Sequence, residues 1–262
     1  MERNILLTIE YDGTNFHGWQ KQPEKRTVQG ELERVLSIVC RQEVKIDGTS
    51  RTDAGVHAYG QRASFKGDIK IPADRLVIAA NNLLSGGKNA PGTKGDMRII
   101  DVEEKPLEFH ARFDAKAKKY IYKISNESET DIFKRNYLYQ ITKPLNIEAM
   151  TEAAAHIKGT KDFKSFQASG GEEKKTTVRT IYDLTITKTQ EPRHGIQQGL
   201  HIEVTGDGFL YNMVRIIAGT LVEVGLDKIH TAAIPAIIES KDRQNAGHTA
   251  PPQGLYLSEI YY

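Results

Sequence analysis

Two hydrophobic periods run along the chain and predict an alternation of strands and helices. Near the start, apolar residues occupy every second position, as in a strand with one buried face, at Ile5, Leu7, Ile9 and Tyr11. Behind Thr27, a candidate N-cap, apolar residues recur instead at helical spacing, at Val28, Leu32, Val35, Leu36 and Val39. The chain therefore opens with a strand followed by an amphipathic helix.

The same patterns continue to the C-terminus. The first half adds strands over residues 44–46, 59–65 and 97–102 and a helix over 76–84. After Pro106 come strands over 120–124, 178–186, 200–204 and 255–260, and helices over 147–157, 211–224 and 234–238. Gly159 and Gly225 are expected to end the first two of these helices.

This order predicts an α+β protein whose sheets are mostly antiparallel, because hairpin-joined strands with helices between them do not suit a doubly wound parallel sheet. We expect two halves, residues 1–105 and 106–262. The halves share an order of elements but no repeated sequence, so the pattern is weak evidence for duplication.

Composition indicates a globular protein, with 39% hydrophobic and 27% charged residues among 262. The single cysteine, Cys40, forms no internal disulfide and favours a reducing compartment. The N-terminal residues do not resemble a signal peptide, and the longest apolar run is interrupted by Arg215 and Glu223. We therefore expect a cytoplasmic protein without a membrane partner.

Charge alone does not identify a partner, because a net charge of +2 and a pI near 8.4 fall short of the basic excess typical of nucleic-acid binders. Basic residues nevertheless cluster locally, and such clusters are usually solvated faces unless they surround a site. The three clusters are Lys21, Lys25 and Arg26; Lys116, Lys118 and Lys119; and Lys174, Lys175 and Arg179.

Several familiar motifs are incomplete. Residues 87–94 (GKNAPGTK) approach a P-loop, but threonine and lysine stand in the wrong order and the segment follows a helix. Gly206 and Gly208 lack the third glycine of a dinucleotide-binding turn. No His-Glu-x-x-His or Cys-x-x-Cys set is present for zinc, and residues 52–55 do not match the Asp-Thr-Gly of aspartic proteases. We expect neither cofactor nor metal.

One carboxylate stands out in the loop of residues 48–58 (GTSRTDAGVHA), where small residues leave Asp53 open to a ligand. An aspartate in water is ionised at neutral pH, so it is a candidate catalytic group. The alternative is that Asp53 only caps a turn through its side chain, and the local sequence does not decide between the two.

Arg215 favours the catalytic interpretation. It lies within an apolar helix pattern, and an unpaired buried guanidinium would cost several kcal/mol. A carboxylate, a phosphate or several carbonyl groups must therefore meet it, and Asp53 is the candidate partner. The alternative is an arginine that extends to the surface along its own helix.

Residues 109–113 combine aromatic rings with cations, since they read Phe109, His110, Ala111, Arg112 and Phe113. Arginine binds phosphates and aromatic rings stack on unpaired bases, so this segment is a candidate RNA-binding surface. Core packing is the alternative. Downstream, Tyr120 and Tyr122 share a strand face, and one of them could line a cleft.

At these residues the chain resembles the TruA family of tRNA pseudouridine synthases, over nearly its whole length. The matching segments are EYDGTNFHGWQ (10–20), GTSRTDAGVHA (48–58), FHARF (109–113), KKYIY (118–122), DFKSF (162–166), NMVRIIAG (212–219) and GLYL (254–257). Their order and spacing agree with the family throughout.

The resemblance implies a fold of two ferredoxin-like halves around a catalytic cleft. It also implies isomerisation of uridine to pseudouridine at positions 38, 39 and 40 of the tRNA anticodon stem-loop, without cofactor or metal, by a homodimer. Asp53 would be the nucleophile, Tyr120 would contact the target base and Arg215 would pair with Asp53. Because the target base must leave its stack, we expect Arg51 to replace it or to hold its phosphate.

Two segments depart from the family. The loop of residues 85–95 is longer, and its Lys88 and Lys94 are candidate tRNA contacts; the segment 167–175 carries two glutamates where a basic loop is expected. No RNA contact is assigned to the latter. Two alternatives stay open: an inert RNA-binding protein in which Asp53 is structural, and a pseudouridine synthase with another RNA target.

Overall fold

The computed structural model describes residues 2–86, 93–129, 131–171, 175–192 and 196–262, and of residues 190–192 and 196–198 only the backbone. The chain forms two compact units. Unit 1 comprises Met1–Lys116 and Leu257–Tyr262, and unit 2 comprises Ala117–Tyr256. The change of unit thus falls later in the chain than Pro106, and most of the last strand, residues 257–261, belongs to unit 1.

Unit 1 is an antiparallel sheet with two helices. Its elements are β1 (Arg3–Tyr11), α1 (Val28–Cys40), β2 (Asp47–Gly48), β3 (His57–Gly67), α2 (Ala73–Leu84), β4 (Met97–Lys105) and β10 (Leu255–Tyr261). The strands follow the order β4-β1-β3-β10, with β2 beside β3, and Leu7 of β1 faces Ala63 and Val102. Helix α1 packs against α2, and α2 packs against β4.

Strand β1 is more deeply buried than its alternating pattern predicts, because four consecutive residues from Asn4 to Leu7 are buried. The polar member of this set has partners: the Asn4 amide donates to the carbonyl oxygens of Pro106 and Phe109, both at 2.8 Å. The segment that follows β4 is thereby fastened to β1. This contact places Phe109 beside the start of β1.

Helix α1 begins as expected, with the Thr27 hydroxyl accepting from the Gly30 N–H at 3.3 Å. The strand expected over residues 44–46 is not formed, and only a short bridge at β2 follows. The reason is that the Val44 N–H donates to Ser37 Oγ and the Ile46 N–H to Glu33 Oε1. Side chains of α1 thus take the donors that a strand would use.

Unit 2 contains a further set of strands with helices packed on them. Its elements are β5 (Ala117–Ser125), β6 (Tyr139–Gln140), α3 (Ile147–Ile157), β7 (Gly159–Asp162), β8 (Val178–Pro192), β9 (Ile196–Gly206), α4 (Met213–Gly225) and α5 (Ile234–Ser240). The order β5-β9-β8-β7 is antiparallel, whereas β6 pairs with β5 in parallel. Helix α3 packs against β8 and α4. The expected α+β class with mostly antiparallel sheets is confirmed.

Helix α4 is covered on nearly every side. All of its residues are buried except the charged Arg215 and Glu223, which are half-buried. The expected helix over 211–224 starts at Met213, because Asn212 takes a left-handed backbone conformation with φ of 60°. None of the helices described is long and apolar enough to cross a membrane.

Candidate active site

The loop that carries Asp53 connects β2 to β3 and is fastened to β3 at its start. The Thr49 N–H donates to the Arg62 carbonyl at 2.8 Å. The buried Gln61 side chain donates to the Ser50 carbonyl at 2.6 Å and accepts from the Ser50 N–H at 3.3 Å. These contacts fix the direction in which the chain enters the loop.

A second set of contacts fixes the residue before Asp53. The Thr52 hydroxyl lies 2.7 Å from the Tyr11 hydroxyl, and the Thr52 carbonyl accepts from the Trp19 N–H at 3.0 Å. Thr52 is buried, whereas Asp53 is half-buried. The turn then closes with the Val56 N–H donating to the main-chain oxygen of Asp53 at 3.2 Å. The carbonyl of Asp53 therefore takes part in closing this turn.

Two glycines let the segment after β1 approach this loop. A Cβ on Gly13 would lie 2.0 Å from the Val56 oxygen, and one on Gly18 would lie 2.8 Å from the Thr52 oxygen. Gly18 also has a φ of 86°, which residues with a side chain rarely adopt. Nearby, the buried His57 has Nδ1 3.1 Å from the Gly13 nitrogen and 3.2 Å from Asp12 Oδ1. The sequence pattern alone did not identify Gly13, Gly18 or His57 as supports of the loop.

Substitution of Tyr11 by phenylalanine tests this support. The variant leaves the buried Thr52 hydroxyl without its partner, so we expect the free energy of unfolding to fall by about 1 kcal/mol in urea titration. Tyr182→Phe is the matched control, because Tyr182 is 56% exposed, and it should change stability by less than about 0.5 kcal/mol. Equal stability of the two variants would remove Tyr11 from the support of the loop.

Residues 109–113 lie in turns rather than in a strand, and Ala111 anchors them to the Asp53 loop. The Ala111 N–H donates to Ser64 Oγ at 3.1 Å. Its carbonyl accepts from the Thr49 hydroxyl and from the Tyr262 hydroxyl, both at 3.0 Å. Ala111 is fully buried, so its contribution is to hold the segment in place.

The side chains on either side of Ala111 divide between interior and surface. Phe109 packs edge-on against Tyr262 with ring centroids 5.0 Å apart. The His110 and Phe113 rings are tilted by 41° with centroids 4.3 Å apart, and the Arg112 guanidinium lies 5.9 Å from the Phe113 ring centre. Arg112 is exposed and Phe113 is 75% exposed. An aromatic and cationic surface is thus presented beside the loop that carries Asp53 and the exposed Arg51.

Two tyrosines of β5 are buried in unit 2. Tyr120 packs edge-on against Phe209 with ring centroids 5.2 Å apart. The Tyr122 hydroxyl donates to the Pro251 carbonyl at 2.7 Å. Burial raises the pKa of Tyr122 well above its usual value, and the positive charge of Arg215 opposes this effect. Tyr122 therefore stays protonated and keeps its hydrogen bond.

Arg215 projects from α4 between the buried Val214 and Ile216. Its Nε donates to the Ala250 carbonyl at 2.8 Å, and one terminal nitrogen donates to Asn212 Oδ1 at 2.9 Å. Both acceptors are uncharged oxygens of unit 2. They fix the plane of the guanidinium, which is the group that the sequence predicts to meet an anion.

The predicted site residues divide between the units. Asp53, Arg51 and residues 109–113 lie in unit 1, and Tyr120 and Arg215 lie in unit 2. The pairing of Asp53 with Arg215 stays a prediction. Residues 87–92, including Lys88, and 172–174, including Lys174, lie outside the described part of the chain. Within that part, no three His, Cys, Asp or Glu side chains are grouped as a metal site would require.

Two α+β units with mostly antiparallel strands are consistent with the pseudouridine synthase fold. The family model described as tRNA pseudouridine synthase matches residues 7–114 and 153–262. The chain belongs to the tRNA pseudouridine synthase family, and it is an isomerase that converts uridine to pseudouridine in tRNA.

Three relatives illustrate the likeness. The tRNA pseudouridine synthase A of Ruminiclostridium cellulolyticum is 48% identical over 260 residues, covering 99% of this chain and 100% of the relative. The enzyme of the same name from Thermoanaerobacter sp. is 46% identical with the same coverage. The tRNA pseudouridine synthase A 2 of Clostridium tetani is 45% identical and covers both chains fully.

Proposed function

We propose that this enzyme modifies uridines 38, 39 and 40 in the anticodon stem-loop of tRNA, with the carboxylate of Asp53 as nucleophile and without a cofactor. The assignment of Asp53 as nucleophile is supported by the structure of its loop. Thr52 and the main chain of Asp53 hold the turn, and Asp53 as a residue is half-buried on it. The tRNA positions rest on the resemblance of the seven sequence segments.

The reaction is an isomerisation and consumes no second substrate. The bond from N1 of uracil to C1′ of ribose breaks, the uracil turns while it is held, and C5 bonds to C1′. The proton of C5 leaves and N1 gains one, so atoms balance. The Asp53 carboxylate can start this by attacking the sugar, by adding to the base or by removing a ribose proton, and all three need an ionised and fixed carboxylate.

The other site residues hold the substrate. Tyr120 contacts the target base, and its ring is fixed by Phe209. Arg215 pairs with Asp53 and orients its carboxylate, which suits a guanidinium already held by Ala250 and Asn212. Arg51 is exposed on the same loop as Asp53, so it can fill the space left by the flipped base or bind its phosphate.

We also infer that the enzyme acts as a homodimer in the cytoplasm. The homodimer rests on the family resemblance. The reducing compartment rests on the single free cysteine, Cys40.

We assign residues 109–113 to tRNA binding, with Phe113 as a stacking platform and Arg112 as a phosphate contact. Stacking of a base on an aromatic ring contributes about 1 to 3 kcal/mol, so Phe113→Ala should raise the Kd for tRNA about fivefold or more. Filter binding measures this. Phe133→Ala is the matched control, because Phe133 is 73% exposed and Phe113 is 75% exposed. Equal Kd values for the two variants would contradict the assignment.

The proposed target is tested by mass-spectrometric mapping of pseudouridine in unmodified tRNA treated with the enzyme. We expect pseudouridine at positions 38, 39 and 40. Modification only at other positions, or of another RNA, would overturn the assignment to the anticodon stem-loop and leave the synthase activity intact.

A further inference from the structure

Residues 246–251, here called the strap, run along the surface of α4. Three main-chain N–H groups of the strap donate to atoms of that helix. The Gly247 N–H donates to Thr220 Oγ1 at 3.0 Å, the His248 N–H to Glu223 Oε1 at 2.9 Å and the Ala250 N–H to the Arg215 carbonyl at 3.0 Å. The strap is thus attached to α4 at three successive points.

The strap and the helix approach so closely that two glycines are required. A Cβ on Gly219 of α4 would lie 1.9 Å from the His248 carbonyl oxygen. A Cβ on Gly247 of the strap would lie 2.6 Å from the Thr220 Cα. Because both neighbours are backbone atoms, the strap has little freedom to shift along the helix.

The strap in turn orients Arg215. Its Ala250 carbonyl accepts from Arg215 Nε at 2.8 Å, and the next carbonyl, that of Pro251, accepts from the Tyr122 hydroxyl at 2.7 Å. The direction of the guanidinium therefore depends in part on where the strap holds the Ala250 oxygen. A displacement of the strap would therefore reorient the Arg215 guanidinium even if Arg215 itself is not substituted.

The His248 side chain adds a fourth attachment. His248 Nδ1 lies 2.7 Å from Glu223 Oε1, and His248 Nε2 lies 3.3 Å from the Tyr139 hydroxyl. Burial raises the pKa of Glu223, but the hydrogen bonds from His248 and the charges of His248 and Lys228 outweigh it, so that the pKa is lower than usual. The ionised carboxylate favours a proton on Nδ1 and so sets the orientation of the ring.

We propose that His248 is a positioning residue for Arg215: by joining the strap to Glu223, it fixes the carbonyl that orients the guanidinium. The proposal rests on the proposed function in one respect, the role of Arg215 beside Asp53. His248 acts through the strap and has no contact with the substrate in this role. Its loss should therefore slow the chemical step and leave tRNA binding unchanged.

The first test is the substitution His248→Ala. A catalytic group misplaced by about 1 Å can cost up to about a hundredfold in rate, and a partly held strap should cost less. We expect the single-turnover rate to fall about tenfold while the Kd for tRNA stays within about twofold. Thr249→Ala is the matched control, because Thr249 is on the strap but bonds Arg243 rather than α4, and it should keep the wild-type rate.

The conservative variant His248→Asn separates the loss of the hydrogen bond to Glu223 from a general loss of folding. The asparagine amide can donate to Glu223 from nearly the place of Nδ1, but it cannot reach Tyr139 as the ring does. We expect a rate within about threefold of wild type. An asparagine variant that folds but is about tenfold slower than wild type would overturn the proposal, and this comparison needs no measurement on the alanine variant.

A double-mutant cycle tests whether His248 acts through Arg215. Arg215→Lys keeps the charge but lacks the Nε–H that bonds Ala250, so His248→Ala should cost less than about twofold in that background. A tenfold cost in both backgrounds, or no cost in the wild-type background, would overturn the proposal. If Arg215→Lys alone keeps the full rate, the bond from Arg215 Nε to Ala250 is dispensable and the positioning proposal fails, whereas Arg215→Met tests the proposed pairing with Asp53 separately.

Discussion

Replacement of Asp53 by asparagine is expected to lower the rate of pseudouridine formation by about ten thousandfold or more, because removal of a catalytic nucleophile has effects on this order or larger. Asparagine has the same shape but no negative charge, so it supplies no nucleophile. The fold should survive, since the turn is closed by the main-chain oxygen of Asp53 and by the contacts of Thr52. The Kd for tRNA should therefore change by only a few-fold.

Tritium release from tRNA labelled at C5 of uridine measures this turnover, and filter binding of the same tRNA measures the Kd. Asp101→Asn is the matched control, because Asp101 is an exposed aspartate on β4 of the same unit. It should leave both quantities unchanged. If the Asp53→Asn enzyme still releases tritium at the control rate, Asp53 is not the nucleophile.

Most elements of the fold could be predicted because their burial follows from residues that are close in sequence. The stripe of α1 and its Thr27 cap are both found in the structure, since helix start and buried face are local properties. The prediction of a strand over residues 44–46 was wrong because the structure there depends on contacts with side chains of α1. The apolar side chains of residues 44–46 are buried, but their N–H groups bond Ser37 and Glu33, which no alternation pattern records.

The supports of the Asp53 loop could not be predicted for a similar reason. Tyr11 reaches Thr52 across 41 positions of sequence, and the register of β1 on β3 shifts between Ile9 and Tyr11. A simple alternation places every second residue on one face and contains no such shift. The sequence motif therefore identified the candidate nucleophile but not the residues that hold it.

In helix α4, the burial of a charged residue could be predicted from the apolar pattern around it, but its partners could not. Arg215 was expected to be at least partly buried, and it is half-buried with two oxygen acceptors. Glu223 interrupts the same apolar run, yet nothing in the sequence relates it to His248, which lies 25 positions away. Glu223 can bond His248 only because the strap passes beside α4, and that path requires the close packing at Gly219.

Arg215→Met is expected to lower both the rate of the reaction and the stability of the enzyme. Methionine has an apolar side chain and cannot donate, so the Ala250 carbonyl and Asn212 Oδ1 each lose a hydrogen bond. The free energy of unfolding should fall by about 1 to 3 kcal/mol. Loss of a charge that orients the nucleophile should reduce the single-turnover rate by about a hundredfold or more.

Lys188→Met is the control for removing a positive charge from unit 2, because Lys188 is exposed on β8. It should alter neither unfolding in urea nor tritium release. The two effects of Arg215→Met also separate its roles, since lost stability reports the bonds to Ala250 and Asn212, whereas a lower rate in the folded enzyme reports the partnership with Asp53. A stable and fully active Arg215→Met enzyme would show that Asp53 does not depend on this arginine.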